Sequence, residues 1–206
     1  YKVFLSIVET FIAFGFGALA WRLRMIKSSD LGRLTRLTLD MFFPMLTFST
    51  ITRNFDPSQL NELWVMPLLG IAIMAVGALA GWYLKRFLRW RTPGRLGTFH
   101  HICAINNYVF LPIIILQNNY SERHVALLLL MNVGSTVGFW TIGVMTFTGG
   151  GSVGQALRSI FSINVAAVVA ALLVCFLGIP VPEPFAYTLK YLGDITVPLM
   201  LVVIGV

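Results

Sequence analysis

The sequence predicts an all-α polytopic membrane protein, on three observations. Of its 206 residues, 57% are hydrophobic and only 11% charged, against about 25% charged in a soluble domain. The apolar residues gather into seven segments, at 3–21, 34–52, 63–84, 98–117, 124–147, 160–178 and 186–206, each near the roughly 20 residues that a helix needs to cross a bilayer. The basic residues collect in the loops that strict alternation puts on one face.

Those loops are 22–33, 85–97 and 148–159. Arg22, Arg24, Lys27, Arg33 and the adjoining Arg36 form one cluster, and Lys85, Arg86, Arg89, Arg91 and Arg95 another. Of the 15 Lys and Arg, the opposite face keeps only Lys2, Arg53, Arg123 and Lys190. Positive charge marks cytoplasmic loops, so the chain reads as multi-pass in the cell (inner) membrane with Tyr1 outside. A net charge of +7 arranged this way points to the lipid bilayer as partner and not to nucleic acid. No cleaved signal is visible. The chain starts without Met and stops inside LMLVVIGV, so a fragment with its last span cut short is expected. Cys103 and Cys175 lie within apolar runs and read as packing residues.

The first segment carries small residues at Gly15, Gly17, Ala18 and Ala20, which allow close helix approach. Its Glu9 reads as solvated near the interface. The second carries Asp40 four residues before Pro44. The third has small residues at Gly70, Gly77 and Gly81 and reads as a packing helix. The small-residue faces of the first three spans are compatible with a homodimer.

The fourth segment, HHICAINNYVFLPIIILQ, places Asn106 and Asn107 at its centre and Pro112 five residues on. Proline removes a backbone hydrogen bond, and non-helical backbone at membrane depth is tolerated only where protein buries it or water reaches it. Two readings stand. One is a broken helix holding a ligand; the other is a kinked helix whose asparagines bond a neighbour. In the fifth segment Asn132, Ser135 and Thr136 share one helical face and either join helices or complete that site. The glycine-rich TGGGSVGQALRS comes next, reading as a flexible linker.

An internal repeat then emerges. LTLDMFFPMLTF from Leu37 aligns without gaps on YLGDITVPLMLV from Tyr191, matching Asp40 and Pro44 with Asp194 and Pro198. The two segments run in opposite directions across the membrane, an inverted topology common in transporters. The units are 1–147 as a first five-helix repeat, 148–159 as a cytoplasmic linker, and 160–206 as the start of a truncated second repeat.

Four stretches carry a resemblance to a known family: WRLRMIKSSDLGRLTRLTLDMFFPMLTFSTI, INNYVFLPI, RSIFSINVAAVVAALLVCFLGIPVPEP and YLGDITVPLMLVVIG. In them the chain resembles the auxin efflux carrier family, which includes the plant PIN-FORMED carriers and bacterial malonate or malate carriers. The resemblance implies ten spans in two inverted five-helix repeats, of which about seven are present. It also implies a broken crossover fourth helix and a bile-acid-symporter/NhaA-like architecture. Asn106, Asn107 and Pro112 fall on the family's crossover motif, and Asp194, Thr196 and Pro198 on its seventh-span motif. Tyr108 and Phe110 stand where the family commonly has glycine, and Asp40 where it has an aromatic or aliphatic residue.

The resulting expectation is a secondary active transporter of small organic anions, auxin-like or dicarboxylate, working by alternating access and not an enzyme. Asn106, Asn107, Asn132 and Ser135 bind the substrate, and Pro44, Pro112 and Pro198 mark helix breaks. Asp40, Asp194 and Thr196 couple transport to H+ or Na+, or the two acids brace the proline kinks; no other cofactor and no metal is called for. The alternative is a cation/proton antiporter or Na+-coupled symporter using Asp40 and Asp194. A membrane metalloenzyme built on His100 and His101 is a third reading, disfavoured because adjacent residues point about 100° apart on a helix and miss the i, i+4 spacing of a zinc pair.

Overall fold

The computed structural model describes residues 2–55, 64–88, 93–105, 109–143 and 162–206, and every regular element among them is helical. They are α1 (Lys2–Arg22), α2 (Ser28–Leu37), α3 (Phe43–Asn54), α4 (Val65–Leu84), α5 (Pro93–Ala104), α6 (Phe110–Asn119), α7 (Glu122–Gly138), α8 (Ile163–Phe176), α9 (Glu183–Gly193) and α10 (Thr196–Gly205). Lys2–Arg22, Val65–Phe87 and Glu183–Gly205 are long and apolar enough to cross a membrane. Their outward faces carry large apolar side chains such as Phe4, Phe11, Phe16, Val76 and Leu79, an exposure that suits lipid and not water.

Helix ends obey local chemistry. α1 stops where Arg24 adopts a left-handed φ of 59°; Met25 N–H then bonds Ala20 O and Arg24 N–H bonds Trp21 O, each at 2.9 Å. α8 stops the same way at Gly178, with φ 62° and Ile179 N–H on Val174 O at 3.0 Å. Both are Schellman endings, and Pro180 just beyond the second prevents continuation.

The basic stretch 22–33, expected as a loop, is partly helical. α2 starts at Ser28, with the Asp30 carboxylate accepting the Lys27 N–H at 3.0 Å, and runs through a π-turn at Thr38–Phe42 into α3. Its charged residues hid a helix that is amphipathic rather than apolar, the kind that lies along an interface.

The contacts divide the chain into two compact units: Tyr1–Gln59 with Val109–Leu128 and Ile163–Val206, and Leu60–Tyr108 with Leu129–Ser162. In the first unit α3 packs on α8 and α9, while α1 packs on α10 and α6. Its core includes Leu46, Ile51, Ile113, Ala171 and Leu201. Gly17 is the contact point of α1: a Cβ there would strike the Val202 carbonyl, and one on Gly205 would strike that of Phe14. Gly15 faces open space, so only part of the expected small-residue face meets a helix within the unit. In the second unit α4 packs on α5. Gly77 and Gly81 lie against Cys103, and Gly70 against Met131 and Ser135, as a packing helix with small residues at those positions requires. The linker at 148–159 lies outside the described residues.

Candidate functional site

Three prolines share one placement. Pro44 is the second residue of α3, Pro112 the third of α6 and Pro198 the third of α10. Proline has no N–H to give to the carbonyl one turn back, so it interrupts the helical hydrogen-bond ladder at that point. The irregular backbone precedes each proline. Before Pro44, Phe43 N–H reaches back to Thr38 O in the π-turn that contains Asp40. Before Pro198 the chain turns at Asp194 and Ile195, with Ile195 N–H on Leu192 O at 3.3 Å. Before Pro112, α5 ends at Ala104 and α6 begins at Phe110.

Asn106 and Asn107 lie outside the described residues. Ser135 is buried, and its hydroxyl bonds Met131 O at 3.3 Å. Asn132 is half-buried, and its carbonyl accepts from the Thr136 hydroxyl at 2.9 Å. His100 Nε2 meets Ala78 O at 2.8 Å, so this ring joins α5 to α4. Among the described residues, no three His, Cys, Asp or Glu side chains converge as a metal site would need.

Asp40 is exposed, with Arg36 Nε 3.9 Å from its carboxylate. Thr196 is fully buried, and its hydroxyl has no hydrogen-bond partner among the described residues. Asp194 faces an open cavity of about 520 Å3 inside the first unit, together with Glu9, Thr50, Asn118, Glu122, Lys190 and Pro198. Lys190 Nζ lies 3.3 Å from Glu122 Oε1 and 3.3 Å from Asp194 Oδ2. The Asn54 amide donates to Glu122 Oε2 at 3.3 Å, and the Asn118 amide donates to Glu9 Oε2.

Burial pushes the Glu122 carboxyl up, but the Asn54 hydrogen bond, Lys190 and Arg53 outweigh it and hold the group below its usual range. Glu9 lies about 10 Å along α1 from Lys2, and Asp194 about 16 Å along the α9–α10 run from Glu183, at 1.5 Å per residue. Half of a 30 Å hydrocarbon core is about 15 Å, so the cavity runs from the helix ends toward mid-depth.

The model of the family described as membrane transport protein matches residues 2–157, well over half of the chain. The chain belongs to this auxin efflux carrier family. It is therefore a membrane protein of a transporter family and not of an enzyme family. No curated protein matches it. The match ends before GIPVPEP and YLGDITVPL, so membership rests on the first 157 residues and not on those two stretches.

Sequence reasoning placed Asp194 at a site but missed Glu122, Lys190, Asn54 and Asn118, and read Glu9 as merely solvated. Only Lys190 and Asp194, four apart on a predicted helix, carried a local signal for a pair; the others meet through tertiary packing.

Proposed function

We propose that this carrier-family chain is a secondary active transporter of small organic anions, carboxylates above all, working by alternating access. The observation that carries the reading is that α5 ends at Ala104 and α6 begins at Phe110, with the described Ile105 and Val109 outside both helices, within the region that matches the family. Helix ends at mid-membrane present unpaired backbone groups, and N-terminal ends favour anions. Asn106 and Asn107 fall in that interval and would donate to a carboxylate, with Asn132 and Ser135 beside them in sequence-predicted register.

Alternating access also needs bodies that each hold together. The contacts form two such units, and one boundary falls after Tyr108, inside the interrupted segment. The matched irregularities at Asp40 and Asp194, each four residues before a proline, support inverted repeats over 1–147 and 160–206 joined at 148–159. In this reading Tyr1 lies outside the cell membrane and a homodimer is compatible with the small-residue faces.

The test is Asn107→Ala in the full-length protein reconstituted in vesicles. Loss of carboxylate counterflow with normal expression is expected; undiminished counterflow would remove Asn107 from the site.

One observation favours a second reading. The described cavity presents Glu9, Glu122 and Asp194 against Lys190, a negative balance that suits cation or proton exchange through Asp194, with Asp40 and Thr196 as further coupling residues. Transport that tracks pH and Na+ but ignores carboxylates would select it.

A further inference from the structure

We propose that Lys190 is an anion-capturing residue in the cavity of the first unit, and that Glu122 must take up a proton when an anion binds there. The inference rests on the anion-carrier reading and assigns that reading a second subsite, apart from the amides of the fourth segment.

Lys190 is the cation among the described lining residues, and its side chain is 33% exposed. Two carboxylates share its ammonium group, both at 3.3 Å, longer than the roughly 2.8 Å of a committed charge-assisted bond. The two are held differently. Asp194 lies one turn after Lys190 in the same helical run and stays beside it. Glu122 comes from the start of α7 and has a second partner in Asn54. Glu122 is therefore the acid that an incoming carboxylate replaces.

Charge balance then requires a proton. The cavity already holds Glu9, Glu122 and Asp194 against one lysine, and an added anion would leave four negative groups to one positive. Like charges this close disfavour ionisation of one member. A proton from external water on Glu122 Oε1, the oxygen released by Lys190, restores the balance. Oε2 remains free to accept from the Asn54 amide. One monocarboxylate anion and one proton enter together, and the charge of the site does not change.

Among the described residues, the charged and titratable groups near Glu122 include Arg53 at the end of α3, Tyr120 before α7 and Glu9 on α1, which line the same cavity, and Arg123 and His124 in the first turn of α7. Against the burial that raises it, the Asn54 hydrogen bond, Lys190 and, least of all, Arg53 lower the Glu122 carboxyl before the anion arrives. His124 Nδ1 meets the Ser121 hydroxyl at 2.9 Å.

The experiment uses full-length protein in proteoliposomes, with radiolabelled lactate and indole-3-acetate, both monoanions, as probes between pH 5.5 and 8. In the unsubstituted protein, apparent affinity should rise as pH falls. Glu122→Gln should flatten that slope and keep affinity high at pH 8. Lys190→Gln should weaken affinity at least tenfold throughout, and Lys190→Arg should recover most of it, which separates a lost cation from a lost fold. An unchanged slope in Glu122→Gln, or unchanged affinity in Lys190→Gln, overturns the inference while the carrier reading stands. If the unsubstituted protein moves neither anion at any pH, both fall together.

Discussion

The Thr47 hydroxyl donates a 2.8 Å hydrogen bond to the Asn164 amide oxygen, joining α3 to α8 across 117 residues of chain, with both side chains buried. A polar link of this kind between membrane helices averages about 0.6 kcal/mol and reaches about 1.7 kcal/mol. Asn164→Ala should therefore lower the thermal midpoint of detergent-solubilised protein. The Thr47→Val and Asn164→Leu pair together should cost less than the sum of the two single changes, as a double-mutant cycle would show. Full additivity would mean that the bond contributes nothing.

The contact of α1 with α10 makes a sharper steric prediction. Gly17 has the Val202 carbonyl where a Cβ would go, whereas Gly15 has open space within 4 Å. Gly17→Val should separate the two helices and yield aggregated or poorly folded protein on size-exclusion chromatography. Gly15→Val should leave the profile unchanged, since it adds only lipid-facing surface. Equal behaviour of the two variants would contradict the packing.

Much of this architecture was legible because it is written in local patterns. Apolar runs located the three described helices long and apolar enough to cross a membrane, and the four-residue spacing of Asp40 to Pro44 and of Asp194 to Pro198 located two helix irregularities. The Gly-Ile-Pro run at 178–180 marked the end of α8. Other features carry no local signature. α2 is short and charged, so a search for apolar spans passes over it. Asn164 sits in an apolar run and identifies itself only through Thr47. Glu122 at a turn and Lys190 within a helix each look like ordinary interfacial residues until packing brings them to 3.3 Å.

Pro198 tests the link between backbone irregularity and transport. In Pro198→Ala the new N–H can bond the Asp194 carbonyl, which proline cannot do. The turn at Asp194 and Ile195 should close into continuous helix. Hydrogen exchange at 195–199 should slow, and the midpoint should rise or hold, while transport falls because Asp194 turns with the helix. Faster exchange together with normal transport would show that the irregularity is incidental.

Acid stability offers a check on Glu122 that needs no substrate. Its carboxyl lies below the ordinary value of 4.5 in the folded protein, so the folded state binds fewer protons than the unfolded chain between the two values. Linkage fixes the sign. The stabilising contribution is complete above pH 4.5 and is lost as pH falls through the lower, folded value. The glutamate side chain is 54% exposed, so solvent screens much of the effect. The thermal midpoint of the unsubstituted protein should drop as pH falls below 4.5, and Glu122→Gln, with no charge to lose at that position, should drop less. Lys190→Gln should weaken this pH dependence too, because it removes one cause of the lowered value. If both variants kept to the unsubstituted curve, the Glu122 and Lys190 pair would have no measurable part in holding α7 to α9.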